Sequence, residues 1–253
     1  ATAKWTVTIE HTSSENTSPT IETLTCHFIY SCTGYYRYDK GYTPDFPGVE
    51  QFKGQFIHPQ LWPEELDYSD KRIVIIGSGA TAVTLVPAMA KTAKHVTMLQ
   101  RSPTYVVARP AVDSLSQKFR RWFPEQFAYD LTRWKNVTMQ AFIFQLSRRF
   151  PDKVRALLRK MTHQWMGDDY DIDTHFNPRY NPWDQRLCLV PDGDLFRALR
   201  KGTASIVTDH IEHFTEQGIQ LKSGAALDAD IVVSATGLEL LILGGIQLTV
   251  DSQ

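Results

Sequence analysis

No apolar run in the 253-residue chain reaches the roughly 18 residues that a membrane-crossing helix needs. Charge of one sign is equally scarce. The 27 Lys and Arg balance 28 Asp and Glu to a formal net charge of -1, which gives no reason to expect nucleic acid. Cys26, Cys32 and Cys188 are odd in number and lack metal-ligand spacing. They argue against a disulfide framework or a zinc site, and point to reduced thiols in a cytoplasmic protein. The acidic run Asp168 to Asp173 lacks the glycine and the glutamate of a calcium loop, so no metal is expected there. No secretory signal is present, so Asn16-Thr17-Ser18 and Asn136-Val137-Thr138 match the glycosylation pattern only by chance. An initiator Met is also missing: Ala1-Thr2-Ala3-Lys4 leads at once into strand-like alternation over Trp5 to Ile9.

The strongest positive signal is Ile73-Val74-Ile75-Ile76 running into Gly77-Ser78-Gly79-Ala80-Thr81-Ala82, a β-type run that feeds a G-x-G-x-x-A turn. In a dinucleotide-binding βαβ unit the first glycine makes the turn and the second admits the pyrophosphate. The small third residue lets helix and strand lie close. A helix over Val83 to Thr92 and a second strand over His95 to Leu99 are expected to follow, with the phosphates held on the helix's first amides. Pro87 should kink or shorten that helix, and its apolar residues on nearly every side imply burial all round. The end of the second strand carries no acidic residue for a ribose hydroxyl. Gln100-Arg101-Ser102-Pro103 stands there instead, and a guanidinium beside a hydroxyl suits a 2′-phosphate. NADPH is therefore the expected nicotinamide cofactor, read mainly by Arg101 and Ser102. A surface arginine without a ligand is the plainer alternative.

Before this unit, Trp5 to Ile9 and Ile21 to Tyr30 read as a hairpin around a polar turn over residues 12–19. A lone hairpin is not stable in water, so the chain is expected to begin inside a domain and to be an internal piece of a longer protein. Arg37 to Gln51 is rich in Gly, Pro, Asp and Tyr and reads as irregular. Pro59 fits the first position of a short helical turn capped by His58, which would place His58 and Trp62 on one side. His58 is expected to serve as a structural hydrogen-bonding residue rather than a base.

Lys118 to Lys160 holds a local charge of +8, leaving -9 for the remainder, with aromatics interleaved at helical spacing. It reads as a helical insertion over about residues 114–175. Its aromatics are expected to pack inward with the arginines solvated. The functional alternative is a basic, aromatic face against an anionic membrane, or an access route for a long apolar substrate. Further on, Tyr180-Asn181-Pro182-Trp183-Asp184-Gln185-Arg186 is a Pro/Asn-rich loop that delivers an arginine to an apolar segment. From the residues alone, Arg186 is either an ion-paired structural group or a site cation.

Phe52, Gly54, His58 and Trp62, with Pro63, form F-x-G-x-x-x-H-x-x-x-W-P just before the glycine turn. This resembles the fingerprint of the type I Baeyer–Villiger monooxygenases, a family of class B flavoprotein monooxygenases. Asp230 to Gly237 is similar to the family's D-x-x-x-x-A-T-G segment. The likeness extends over nearly the whole chain. It is greatest toward the family's mycobacterial thioamide-oxidising branch and its long-chain-alkane branch, around Gly77 to Tyr105 and Tyr180 to Arg197.

The resemblance implies an α/β fold: a Rossmann-type NADPH-binding domain with a helical insertion, flanked by partial strands of an FAD-binding domain. Residues 1–36 would belong to the FAD domain, 37–71 to a linker with the fingerprint, and 72–230 to the NADPH domain. Residues 231–253 would return to the FAD domain. Thr33, Gly34, Thr236 and Gly237 would mark the two crossings and contact cofactor. Arg186 would be the active-site arginine between flavin and nicotinamide. Gln185 stands where many relatives have a lysine on the 2′-phosphate, which weakens that contact and leaves Arg101 as main reader. His58 and Trp62 would couple the domains and place the nicotinamide cofactor.

The implied activity is an FAD-, NADPH- and O₂-dependent monooxygenation of small apolar organic substrates through a flavin C4a-peroxide. The oxygen would be inserted into ketones or transferred to the sulfur of thioamides or sulfides. Hydroxylation of long-chain alkanes is the alternative within enzymes, and a non-catalytic NADPH sensor the alternative outside them. The expected location is cytoplasmic, with peripheral attachment at the inner membrane surface if the basic insertion meets lipid.

Overall fold

A computed structural model of the chain describes residues 4–11 and 20–247. The polar turn over 12–19, with Asn16, and the opening Ala1-Thr2-Ala3 lie outside the described residues. The chain divides into two compact units, residues 1–39 with 238–253, and residues 40–237.

In the smaller unit, β1 (Trp5–His11) and β2 (Thr20–Cys26) form the expected antiparallel pair. The second strand stops at Cys26 rather than Tyr30. Cys26 stands opposite Trp5, the first residue of β1, so the ladder ends although the apolar run continues. Part of the stretch expected to be irregular is also ordered: β3 (Tyr36–Gly41) pairs with the short strand Leu238–Leu240. Arg37 secures this pair. It donates to both Asp39 carboxylate oxygens (3.0 and 2.7 Å) and to Glu239 Oε1 (3.5 Å).

The larger unit is built on a five-stranded parallel sheet. Its strands are β4 (Gln55–Ile57), β5 (Arg72–Ile76), β6 (His95–Gln100), β9 (Ala204–Thr208) and β13 (Ile231–Ser234), in the order β4-β13-β5-β6-β9. Much of the stretch read as a linker thus belongs to this unit, since β4 is its edge strand. The chain runs outward from β5 through β6 to β9 and returns to β13 on the other side of β5. That reversal leaves a crevice beyond the carboxyl ends of β5 and β13.

Both faces of the sheet are covered, which explains the near-continuous apolar runs of its strands. Ile73, Ile75, Met98, Ile231 and Val233 pack on one face with α1 (Ala80–Met89) and α6 (Asp194–Arg200). Val74, Ile76, Leu99 and Val232 pack on the other with an antiparallel meander of β10 (Ile211–Thr215), β11 (Gly218–Leu221) and β12 (Ala226–Asp228). α1 is short and ends two residues after Pro87. It is not buried all round. Thr81, Thr84 and Ala88 form an exposed stripe, while Ala82, Val83, Val86 and Met89 are buried.

The insertion is helical, and it interrupts a parallel pair missed in the sequence, β7 (Tyr105–Arg109) and β8 (Leu187–Pro191). It comprises α2 (Ser114–Trp122), α3 (Glu125–Arg149), α4 (Pro151–Met166) and α5 (Ile172–Phe176). α4 and α5 join the main core, where Trp165 stacks on Phe196 at 5.8 Å. α3 does not. Its aromatics were expected to pack inward, yet among its described residues only Ala128 and Ser147 are buried, and Trp134 and Phe142 are 67% and 65% exposed. Its 25 residues make a rod of about 37 Å, longer than its neighbours cover.

Candidate functional site

A cleft of about 740 Å³ opens over the carboxyl ends of β5, β6 and β13. Gly77 to Thr81 form its floor, and Arg101, Ser102, Arg186, Thr236 and Gly237 line it. Gly77 has φ 134°, and a Cβ there would stand 2.5 Å from Ala235 O at the end of β13. Only glycine permits that approach of the two strand ends. The Gly77 N–H is spent on Leu99 O (2.8 Å). Gly79 is different: its backbone is extended, and a Cβ would meet nothing nearer than Arg186 Nη1 at 3.5 Å. The protein's own packing does not require glycine at 79. What its absent side chain leaves open is the cleft, at the start of a ten-residue helix whose first amides have no intrahelical partner. Ala82, fully buried, packs the helix rather than lining the cleft.

Arg186 is fixed by hydroxyls rather than by an acid. Its Nε donates to Thr104 Oγ1 (2.9 Å) and its Nη2 to Ser78 Oγ (3.2 Å). Thr104 and Ser78 are both buried, and the Ser78 hydroxyl donates to Ser102 O (3.3 Å). The backbone of Arg186 is held too, since the Tyr180 hydroxyl donates to its carbonyl (2.9 Å) and the Tyr105 hydroxyl to Tyr180 O (2.8 Å). The ion-paired alternative for Arg186 is therefore not what the structure shows among the described residues. Behind it, the Cys188 thiol faces Ser78 O at 3.8 Å, and burial pushes its pKa up. The Cys188 side chain is thus a packing group behind the turn.

Arg101 is exposed at the end of β6 and makes no ion pair among the described residues, with Ser102 beside it. At the opposite wall the Thr236 hydroxyl donates to Tyr42 O (2.7 Å), and Gly237 O accepts from Tyr42 N–H (3.3 Å). Gly237 O also accepts from His58 Nε2 (3.0 Å), while His58 Nδ1 accepts from Gln60 N–H (3.2 Å) at the start of the 3-10 turn Pro59–Leu61. Together the two bonds select the neutral tautomer protonated at Nε2. The ring lies where a Cβ on Gly41 would stand, 1.8 Å from its nearest atom. His58 thus links the Pro59–Leu61 turn to Gly237 and does not line the cleft.

The other fingerprint residues do not line the cleft either. Trp62 is partly buried and packs against the main core. Phe52 packs edge-on to Phe214 at 6.0 Å, and a Cβ on Gly54 would collide with the Phe52 ring and with Asp230 O. Gln185 is exposed and lies outside the cleft lining. Thr33 and Gly34 belong to the smaller unit, where Gly34 has φ 74° and Thr33 O accepts from the Tyr38 hydroxyl (3.4 Å).

Besides Tyr42 and Asp45, sequence reasoning missed three polar residues of the lining, Asp209, His210 and Lys222. They follow β9 and sit in the β11–β12 turn, and no local motif marks them. Their position in the sheet does. The residues present fit a phosphorylated dinucleotide, with open amides, a vacant Cβ position and an unpaired cation at the second strand's end.

The profile of a family described as "Flavin-binding monooxygenase-like" matches residues 1–241. "Probable FAD-binding monooxygenase AlmA" of Acinetobacter baylyi is 58% identical over 254 residues, 100% of this chain and 50% of the relative. "FAD-containing monooxygenase EthA" of Mycobacterium tuberculosis is 53% identical over 251 residues, 99% of this chain and 50% of the relative. The chain thus spans about half the length of these relatives. Among solved structures, a steroid monooxygenase bound to NADP aligns with a TM-score of 0.65 at 21% identity, covering 92% of this chain and 52% of that one. The OTEMO complex with FAD and NADP aligns at 0.63 and 22%, covering 88% and 50%. At such identities these structures establish the fold alone.

Proposed function

We propose, since the chain belongs to the flavin-binding monooxygenase-like family, that it supplies the NADPH-binding domain and part of the FAD-binding domain of an NADPH- and O₂-dependent monooxygenase. One observation carries the reading. A glycine turn with open amides, an unpaired arginine at the second strand's end and a hydroxyl-anchored arginine share one cleft. Residues 40–237 then hold NADPH, and the smaller unit belongs to the flavin side.

FAD, when bound, would supply the hydride-accepting and O₂-activating chemistry. The chain's own part is positional and electrostatic. The first-turn amides of α1 hold the pyrophosphate, and the space at Gly79 admits it. Arg101 and Ser102 read the 2′-phosphate. Thr104 and Ser78 occupy Nε and Nη2 of Arg186, which leaves Nη1 beside the Gly79 position. A cation held so rigidly stabilises negative charge that develops on the oxygen being transferred, because no reorganisation is needed when the charge appears. His58, bonded to Gly237, keeps the wall of the cleft in place.

The substrate class that fits is a small apolar organic molecule, a ketone or a soft sulfur compound, with long-chain alkanes as the second reading. A non-catalytic NADPH sensor has no use for a cation aimed into the cleft beside the glycine turn. The test is NADPH consumption by yellow, flavin-loaded full-length protein against ketones, sulfides, thioamides and alkanes, with product analysis. Oxygenated product coupled to NADPH supports the reading, whereas NADPH binding without flavin or turnover supports the sensor.

Among the described residues no helix is long and apolar enough to cross a membrane. Peripheral contact with an anionic membrane is the finer reading. It is favoured by exposed Trp122, Trp134, Phe142 and Phe150 beside Arg120, Arg121, Arg149 and Lys153.

A further inference from the structure

Arg101 is not the only cation of the cleft without a partner. Lys222 also lines it, is exposed, and makes no side-chain hydrogen bond or ion pair among the described residues. The two are far apart in sequence, and the sheet brings their backbones together through a chain of hydrogen bonds. Thr208 pairs with Gln100 in the β6–β9 register, and the next amide, Asp209 N–H, donates to Gln100 O (3.0 Å). Asp209 and His210 therefore run beside Arg101. Lys222 N–H then donates to His210 O (2.9 Å), which fastens the β11–β12 turn to the same strand end.

Asp209 completes the fastening. Its Oδ1 accepts from His210 N–H (2.6 Å) and its Oδ2 from Ser223 N–H (3.3 Å). The Asp209 carboxylate is thus engaged by the amides of His210 and Ser223, the other carboxylate of the lining is Asp45, and Lys222 pairs with neither among the described residues. The hairpin behind Lys222 is firm. Ile219 and Leu221 are buried in the second core, and Gly224, at φ 90°, closes the turn by donating to Leu221 O (3.0 Å). A flexible side chain on a rigid turn can reach an anion at modest entropic cost.

We propose that Lys222 is a second reader of the NADPH 2′-phosphate, completing with Arg101 a two-cation cradle for that group. The inference rests on the reading of this cleft as the NADPH site. A phosphate monoester carries about -1.5 to -2 charge at neutral pH, more than one guanidinium neutralises. Arg101 and Lys222 line one cleft and neither makes an ion pair among the described residues, so the planar fork of the first and the point charge of the second are both open to a phosphate. Arg186 has another part, because its one open nitrogen, Nη1, stands beside the Gly79 position rather than at the end of β6.

The experiment is calorimetric titration of full-length protein with 2′,5′-ADP and with 5′-AMP, in wild type, Lys222→Ala and Lys222→Arg. The two probes differ only in the 2′-phosphate, so 5′-AMP affinity doubles as a control for folding. Wild type should prefer 2′,5′-ADP. Lys222→Ala should weaken 2′,5′-ADP on the order of tenfold and leave 5′-AMP within about twofold, and Lys222→Arg should keep the preference. A preference that survives Lys222→Ala overturns the role of Lys222 and leaves the NADPH site standing on Arg101. Equal weakening of both probes also overturns it, by placing Lys222 on another part of the nucleotide. A wild type without preference overturns the NADPH reading itself.

Discussion

Two glycines in one turn have different reasons to be glycine, and substitution separates them. At Gly77 a Cβ would stand 2.5 Å from a backbone carbonyl, and φ is 134°. Gly77→Ala should therefore destabilise the fold by about 1–3 kcal/mol, read as a fall in the denaturant midpoint. At Gly79 the backbone is unstrained and the space faces the cleft, so Gly79→Ser, which suits the helix N-cap, should leave stability nearly unchanged and weaken NADP⁺ binding in a titration. The glycine spacing made the turn legible in the sequence, but not this division of labour, because the partner of Gly77 is Ala235, distant in the chain. Arg186 was legible only as an arginine after a loop. Its anchors, Thr104 and Ser78, lie 82 and 108 residues away. In full-length protein Arg186→Ala should still bind FAD and accept hydride from NADPH, while product formation falls on the order of 10²–10³-fold and hydrogen peroxide accumulates. Arg186→Lys should rescue poorly, since an ammonium cannot bond both hydroxyls as the fork does. The measurement is product per NADPH consumed, and wild-type coupling in the Ala variant would make Arg186 structural.

At the scale of elements, the sheet is held in register by more than its ladders. Arg72, at the start of β5, donates from its backbone N–H and from Nε to Asp230 Oδ2 (2.7 and 3.3 Å) and from Nη2 to Asp230 Oδ1 (2.9 Å). Its Nη1 reaches Asp228 Oδ2 (2.8 Å), so one side chain ties β5 to β12 and to the start of β13. The Arg72 guanidinium, and after it the Arg72 amide, hold the Asp230 carboxyl below its ordinary range. A carboxylate depressed in the folded state contributes stability above its unfolded pKa of about 3.9, and loses it as pH falls through the lower folded value. Asp230→Asn should therefore lower the thermal midpoint at pH 7, and the gap from wild type should close below about pH 4. A gap independent of pH would contradict the ion-pair account. The apolar run at Ile73 to Ile76 announced β5, because a strand buried on both faces is apolar throughout. β7 and β8 escaped notice because the four-helix insertion separates them. β3 escaped because its Gly, Asp and Tyr content reads as a turn until a partner strand arrives from residue 238 onward.

At the scale of the molecule, the charge excess of residues 118–160 was legible in the sequence, but its use was not. Arg148, Arg155 and Arg159 are engaged with Asp184, Asn181 and Asp173, so they are poor candidates for lipid contact. Arg120, Arg121, Arg149 and Lys153, beside exposed aromatics, are better ones. Full-length protein should sediment with anionic vesicles at low salt, and neutralising these four should release it, at about 1 kcal/mol for each basic group. Binding that ignores both salt and substitution, or no binding at all, would contradict the membrane reading. The central claim is that the cleft over Gly77 and Gly79 holds NADPH with Arg101 on its 2′-phosphate. Anaerobic stopped-flow reduction of flavin-loaded full-length protein tests it most directly, with NADPH and NADH compared in wild type and Arg101→Ala. The account predicts a preference for NADPH that the substitution erodes by about 1–3 kcal/mol while reduction by NADH is nearly untouched. Equal losses with both nucleotides, or none with either, would contradict it.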